Sequence, residues 1–238
     1  HLDVDKDNLK DLIISPNGVN VSENHKNCFF YKNTGIESNN TIQFDFIEND
    51  FLINEMIDVG SNASPILCDL NNDSLIDLII SNKGYFDNGN YNSRISLYKN
   101  IGSNTNPIFE FVDDDFSDLS SIGDFINIQS IHPTFGDLDN DQDIDMIIGD
   151  NNGQIYYFNN NGETINEWPL FSEYEILDID VGSFATPQLI DLDRDGFLDL
   201  IIGERMGIDN GTYNGINYYK NTGSFETLEF VNETPEFP

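Results

Sequence analysis

The chain has 238 residues, of which ten are basic and 43 are acidic, giving a net charge of −33. A surface this negative repels nucleic acid and anionic lipid through the field of the whole molecule. No apolar run approaches the roughly 18 residues of a membrane span, and no Pro/Ser-rich linker divides the sequence. We therefore expect a single domain over 1–238 that neither binds nucleic acid nor inserts into a membrane.

The chain opens on an acidic stretch that returns three times. The four copies are LDVDKDNLKDLIIS at Leu2, CDLNNDSLIDLIIS at Cys68, GDLDNDQDIDMIIG at Gly136 and IDLDRDGFLDLIIG at Ile190. Intervals of roughly 55 to 70 residues separate them, as expected of a repeat architecture. The repeats span approximately 1–59, 60–123, 124–181 and 182–238.

The alternate aspartates of each copy predict a Ca²⁺ loop. An isolated buried carboxylate is costly, whereas Ca²⁺ is a hard cation that gathers six to eight oxygens. A solvated acidic turn is the alternative, but four copies in one register favour metal, so we expect about four structural ions. Counting from the first aspartate, the predicted ligands are the side chains at positions one, three, five and nine and the carbonyl at position seven: Asp3, Asp5, Asp7, Leu9 and Asp11; Asp69, Asn71, Asp73, Leu75 and Asp77; Asp137, Asp139, Asp141, Asp143 and Asp145; and Asp191, Asp193, Asp195, Phe197 and Asp199.

Differences between the loops predict different affinities. The fourth loop has Gly196 at position six, where the chain turns sharply, and we expect it to bind best. The second loop combines Ser74 at that position with the neutral Asn71, so we expect it to be the weakest site.

Each loop runs into a short apolar segment, such as DLIIS at 77–81, that is too short for a helix and predicts a buried strand. An aromatic strand ending in a turn follows, for example SLYKNIG at 96–102, and then an alternating strand such as PIFEFV at 107–112. A further strand precedes the loop, as in ASPILCD at 63–69. Four antiparallel strands per repeat and no helical periodicity predict an all-β fold of β-propeller blades. An EF-hand is rejected because position twelve is isoleucine inside a strand rather than glutamate.

With its four D-x-D-x-D-x-x-x-D loops and recurring Y-x-N-x-G turn, the chain resembles the FG-GAP/VCBS repeat family. These β-propellers include the integrin α-subunit head and many secreted bacterial surface proteins. The resemblance implies Ca²⁺ loops on one face of the propeller, partners often bound on the opposite face, and seven blades in total. The first repeat lacks the strand that should precede its loop, so we expect the remaining blades in the rest of a parent protein.

Two long connectors share the pattern D-N-G-x-Y-N and are candidate ligand-facing loops, because exposed tyrosine stacks on a partner while polar groups orient it. Their candidate residues are Tyr85, Asp87, Tyr91, Asp209 and Tyr213. The alternative is that Tyr91 and Tyr213 fold back to pack the loop. The acidic cluster DDDFSD at 113–118 is more simply a solvated connection than a catalytic carboxylate pair.

The expected function is that of a non-enzymatic adhesion or protein-interaction module. No recognisable nucleophile motif is present, and millimolar Ca²⁺ places such a module outside the cell or on its surface. The alternative is a carbohydrate-binding propeller, either a lectin or part of a polysaccharide lyase or hydrolase. Cys28 and Cys68 are expected to be buried apolar residues, although pairing in an oxidising compartment is the other interpretation.

Overall fold

The computed structural model describes residues 3–15, 28–36, 41–49, 51, 57–87, 90–123, 128–205, 215–223 and 228–234. The chain divides into two compact units, His1–Gly60 and Ser61–Pro238. Their division lies beside the predicted boundary between the first and second repeats. Each unit is described by itself.

The first unit contains one antiparallel sheet of three strands, ordered β1-β2-β3. The strands are β1 (Leu12–Ile14), β2 (Phe29–Ile36) and β3 (Ile42–Glu48). β1 follows the first acidic loop directly. All residues of β3 before Glu48 are exposed, so the predicted alternation does not give the strand a buried face. Phe46 packs edge-on against Tyr31 of the neighbouring strand, with ring centroids 5.5 Å apart.

The second unit contains three four-stranded antiparallel sheets, one in each of the remaining repeats. The second sheet consists of β4 (Ser64–Cys68), β5 (Asp77–Ser81), β8 (Ile95–Asn100) and β9 (Phe109–Asp113), with the hairpin β6 (Tyr85–Asp87) and β7 (Asn90–Asn92) inserted between β5 and β8. The third consists of β10 (His132–Gly136), β11 (Asp145–Gly149), β12 (Gln154–Phe158) and β15 (Glu175–Asp180), with the hairpin β13 (Thr164–Ile165) and β14 (Trp168–Pro169) before β15. The fourth consists of β16 (Thr186–Ile190), β17 (Asp199–Gly203), β18 (Ile216–Asn221) and β19 (Phe230–Asn232).

The third sheet is buried on both faces, because side chains of one strand alternate between two hydrophobic clusters. Met146 and Ile148 of β11 join a cluster with Ile79 and Leu97 of the second sheet. Ile147, between them, joins a cluster with Leu200 of the fourth sheet. This double burial explains why all five residues of β11 are buried and why the strand is a continuous apolar run. The sheets of the second unit therefore pack face to face.

Gly149, at the end of β11, lies close to the residue that precedes β16. A Cβ atom at this position would lie 2.4 Å from the carbonyl oxygen of Ala185, so only glycine fits.

The predicted all-β antiparallel fold is confirmed, with three features that the sequence did not predict. Two are the β6–β7 and β13–β14 hairpins. The third is a short 3-10 helix at Phe116–Ser121, whose Phe116 and Leu119 are buried. No helix in the described part of the chain is long and apolar enough to cross a membrane. Cys28 and Cys68 are both free and half-buried.

Candidate metal sites

The ninth position of each loop is a buried aspartate that joins two parts of its repeat. Asp11, Asp77, Asp145 and Asp199 are at most 1% exposed. One carboxylate oxygen of each accepts a hydrogen bond of 2.8–3.4 Å from the backbone N–H of position two. The other accepts one of 2.8–2.9 Å from the backbone N–H of the asparagine in the Y-x-N-x-G turn or its equivalent. This aspartate therefore clasps the acidic loop to the turn after the following strand.

The asparagine of the turn completes the clasp in all four repeats. Its side-chain N–H donates to the carbonyl of loop position eight at 3.0–3.2 Å. Its side-chain oxygen accepts the N–H of the glycine two residues later at 2.9–3.0 Å. These residues are Asn33, Asn100, Asn160 and Asn221. The sequence interpretation treated them only as turn formers, although their recurrence in register with the loops was a signal of this second role.

All four loops have the same backbone shape. At position four, Lys6, Asn72, Asn140 and Arg194 have φ of 57–65°. At position six, Asn8, Ser74, Gln142 and Gly196 have φ of 72–96°. The left-handed conformation is therefore present whether or not glycine occupies position six, and non-glycine residues adopt it at a steric cost. The sequence predicted the turn at position six and missed the one at position four.

Three loops bring three carboxylates together at positions one, three and nine. One oxygen from each lies within 4.8 Å of the other two. The sets are Asp3, Asp5 and Asp11; Asp137, Asp139 and Asp145; and Asp191, Asp193 and Asp199. The position-five aspartates lie outside these sets, and in the third loop, for example, Asp141 Oδ1 accepts the N–H of Asp143 at 2.8 Å. In the second loop Asn71 replaces the carboxylate at position three, leaving Asp69, Asp73 and Asp77.

Lysines from the neighbouring strand contact three of the four loops. Lys32 Nζ pairs with Asp5 and lies 3.4 Å from Asp7. Lys220 Nζ pairs with Asp193 and lies 3.1 Å from Asp195. Lys99 Nζ lies 3.5 Å from Asp73 and 2.6 Å from Glu167.

The third repeat has Asn159 at the equivalent place, immediately before the turn asparagine. Its Nδ2 donates to Asp139 Oδ2 at 3.0 Å and to the Tyr157 hydroxyl at 2.9 Å. The third loop thus receives a neutral amide where the other three receive an ammonium group.

Lysine contacts and burial shift the pKa values of loop carboxyls in opposite directions. The hydrogen bond from Lys32 lowers the pKa of Asp5, and the backbone N–H of Phe197 together with Lys220 lowers that of Asp195. In the third loop burial, reinforced by Asp141, raises the pKa of Asp139. Burial also raises the pKa of Asp145 to about 7, against the two backbone N–H groups that it accepts. Burial raises the pKa of Asp77 in the second loop in the same direction, so a raised pKa at position nine reflects burial of that aspartate.

The donor set fits a hard divalent cation. It consists of carboxylate oxygens on a pre-shaped loop, the ligand type that Ca²⁺ prefers. In addition, Asp137 Oδ1 is buried and accepts no hydrogen bond from the described residues. A buried carboxylate oxygen without a partner is costly, and a bound cation would satisfy it.

An open cleft of about 580 Å³ adjoins the third loop. Asp139 and Asn159 line it together with Tyr157, Asn161, Glu173, Tyr174, Glu175 and Leu228. The cleft connects the third loop to solvent and combines aromatic, amide and acidic groups.

Residues 137–202 match the profile of the FG-GAP-like repeat family. The chain carries an FG-GAP-like repeat. This FG-GAP-like segment begins at the first aspartate of the third loop and ends within β17, so it contains the third and fourth acidic loops. The family resemblance predicted from the loops is confirmed for this segment. No curated protein matches the chain.

The candidate ligand-facing residues lie apart from the acidic loops in the sequence. Tyr85 and Asp87 belong to β6, Tyr91 belongs to β7, and Asp209 and Tyr213 lie outside the described residues. Lys83 Nζ lies 4.2 Å from the centroid of the Tyr91 ring, and Tyr91 is half-buried. This contact favours the interpretation in which Tyr91 packs against its own connector.

The acidic cluster at 113–118 has structural partners. Asp114 accepts a hydrogen bond from Arg94 at 2.8 Å. Asp115 accepts the backbone N–H of Ser120 at 3.1 Å and its hydroxyl as well. The first contact joins the connection after β9 to the residue that precedes β8. The second links the two ends of the 3-10 helix.

Proposed function

We propose that the chain is a calcium-binding module built from β-propeller blades. The observation that carries this proposal is the convergence of three carboxylate oxygens within 4.8 Å in three loops of identical backbone shape. The carboxylates at positions one, three and nine would hold the ion, and positions five and seven lie on the same loop. Bound Ca²⁺ would supply positive charge to these carboxylates, which otherwise repel one another.

The propeller part of this proposal is supported by the order of the strands. Each sheet of the second unit has four antiparallel strands whose order follows the chain, once the inserted hairpins are set aside. Successive sheets share hydrophobic clusters across their faces. That arrangement is typical of blades. A seven-bladed ring completed by other parts of a parent protein stays a prediction.

Calcium addition to metal-free protein tests the binding proposal. A site with a dissociation constant of roughly 0.1 to 1 mM contributes about 0.4–1.4 kcal/mol at millimolar Ca²⁺, so the sites together should raise the melting temperature measurably. Isothermal titration should give three to four ions per chain, and Mg²⁺ at the same concentration should have a smaller effect. An unchanged melting temperature on addition of Ca²⁺ or EGTA would contradict the proposal.

We infer that the module acts outside the cell or on its surface, in adhesion or protein interaction and without catalysis. Millimolar Ca²⁺, which weak sites require, is found there. The acidic cluster at 113–118, the one group of carboxylates that resembled an acid–base pair, has structural partners instead. Affinity purification of the intact parent protein from the cell surface, with and without EGTA, would identify a protein partner. Recovery of the same proteins at equal yield in both conditions would count against a calcium-dependent module.

Glycan binding is the second candidate, and the cleft beside the third loop favours it. The half-buried Tyr174 offers an aromatic surface, and Asn159 and Asn161 offer amide groups, a combination suited to sugars. A glycan array should then show binding that Tyr174→Ala removes. Release of shortened products from a polysaccharide would instead identify a lyase or hydrolase.

A further inference from the structure

The third loop differs from the other three in its source of positive charge. Lys32, Lys99 and Lys220 place an ammonium group against the first, second and fourth loops. Asn159 occupies that place in the third repeat. Among the described residues, no lysine, arginine or histidine forms an ion pair with the third loop.

The third loop also carries the largest negative charge. Aspartate occupies all five odd positions, since Asp143 stands where the other loops have Leu9, Leu75 and Phe197. The fourth loop has four aspartates and the second has three. Five carboxylates without a neighbouring ammonium repel one another more strongly than three or four that share one.

An unpartnered oxygen is a second, independent peculiarity of this loop. In the other three loops the Oδ1 atom at position one accepts the backbone N–H of position five at 3.1 Å. In those loops the same N–H also donates to the side chain at position three, at 3.1–3.3 Å. In the third loop the N–H of Asp141 keeps only this second bond, to Asp139 at 3.2 Å. Asp137 Oδ1 is left buried without a donor from the described residues, so the third loop lacks both a hydrogen bond and a charge that the others have.

We propose that the third loop binds the divalent ion more tightly than the other loops do, and that the stability of its repeat depends on this ion. The reason is that Asn159 replaces the lysine present in the other repeats. In those repeats the lysine acts as a built-in counter-ion that competes with the metal. This inference rests on the proposed calcium-binding function. It places the third loop above the fourth in Ca²⁺ affinity, the reverse of the order expected from Gly196. The negative charge of the third loop, which no lysine opposes, has a larger effect on affinity than the backbone strain at Gln142.

Charge exchange at Asn159 and Lys220 tests the proposal. Asn159→Lys supplies the missing ammonium, with Asn159→Gln as the neutral control. Lys220→Gln removes the ammonium from the fourth loop, with Lys220→Arg as the charged control. Hydrogen exchange of peptides covering 137–146 and 191–200, measured across a Ca²⁺ titration, gives a separate midpoint for each loop.

The wild-type third loop should become protected at a lower Ca²⁺ concentration than the fourth. Asn159→Lys should raise the third midpoint about tenfold, and Lys220→Gln should lower the fourth about tenfold. A tenfold change is smaller than the change in affinity that the repulsion between a unit charge and a divalent ion about 4 Å apart in water would produce. Salt and side-chain motion weaken this repulsion. The two control variants should leave both midpoints unchanged. A third midpoint equal to or above the fourth, or one that Asn159→Lys does not move, would overturn the proposal.

Measurements in EGTA separate this proposal from the proposed function. Without metal, Asn159→Lys should raise the melting temperature by roughly 2 to 4 °C over Asn159→Gln, the shift that about 1 kcal/mol produces in a chain of this length. An unchanged melting temperature would overturn the inference even if Ca²⁺ binds. If hydrogen exchange of the loops does not change on addition of Ca²⁺ but this shift in melting temperature is observed, the calcium function is overturned. The inference that the third loop lacks positive charge is then supported.

Discussion

The third and fourth acidic loops have the same shape and different electrostatics. Both clasp their ninth aspartate to a turn asparagine, and both have positive φ at positions four and six. The fourth loop has Gly196 and contacts Lys220, whereas the third has Gln142 and contacts Asn159. The two loops therefore share their hydrogen-bonded shape, while a residue from the neighbouring strand or the position just after it decides whether the loop has a positive counter-charge.

The largest expected effect concerns the aspartate at position nine, which both loops clasp to a turn asparagine. Asp145→Ala and Asp199→Ala should each lower the free energy of unfolding by about 2–4 kcal/mol, since each leaves two buried backbone N–H groups without an acceptor. Urea unfolding in EGTA measures this without a contribution from metal. Asp139→Ala is the control, because no backbone clasp depends on it. An equal loss for Asp139→Ala and Asp145→Ala would contradict the clasp.

Position six gives the next largest effect and tests whether backbone strain distinguishes the loops. Gly196 has φ of 96°, so Gly196→Ala should destabilise the protein by about 1–2 kcal/mol although space for the methyl group is open. Gln142→Gly should be close to neutral or slightly stabilising, because relief of strain offsets the greater entropy of glycine in the unfolded chain. Thermal unfolding of both variants in EGTA measures this, and two changes of the same sign and size would refute it.

Removing the charge of the aspartate at position three should change the stability in opposite directions in the third and fourth loops. In EGTA, Asp139→Asn should stabilise the protein by about 0.5–1 kcal/mol, because it removes one of several repelling carboxylates. Asp193→Asn should destabilise it slightly, because Lys220 loses a partner. Saturating Ca²⁺ should make both substitutions destabilising. Melting temperatures of both variants in EGTA and in Ca²⁺ measure these effects. If both substitutions change the melting temperature in the same direction in EGTA, the two loops do not differ in their electrostatics as described.

The second loop offers a related but weaker contrast. Its neutral Asn71 leaves less charge to be neutralised, so Asp73→Ala should lower the melting temperature in Ca²⁺ less than Asp193→Ala does. Chelation should largely erase this difference. Equal losses in Ca²⁺ would show that the count of carboxylates does not rank the sites.

The smallest effect concerns pH and the strands that enter the two loops. His132 begins β10 where Thr186 begins β16. Burial lowers the pKa of His132 below its ordinary value of 6.5, so the folded state favours the neutral ring. Its contribution is complete above pH 6.5 and is lost as the pH falls towards the folded-state pKa. His132→Thr should therefore make stability at pH 5.5, relative to that at pH 7.5, higher than in the wild type, measured by urea unfolding in EGTA. An identical pH dependence in the two proteins would contradict this.

Much of the site could be predicted because its information is local. The spacing of aspartates within nine residues placed the candidate ligands, and the apolar segment after each loop placed β1, β5, β11 and β17. The β13–β14 hairpin could not be predicted, because its two-residue strands carry no periodicity. Tyr91 was equally ambiguous, since its contact with Lys83 depends on how the connector folds back.

The sequence by itself determined where each loop lies, which oxygens it offers and that the strands around it are antiparallel, because these properties depend on residues close together in the chain. Only the tertiary structure decided which group neutralises each loop. Lys220 is 27 residues from Asp193, and Asn159 is 20 residues from Asp139. Whether such a side chain reaches a loop depends on the register between neighbouring strands, here Leu200 opposite Tyr219 and Met146 opposite Phe158. That register is set by the packing of whole sheets, since a shift of one residue would turn every side chain to the other face.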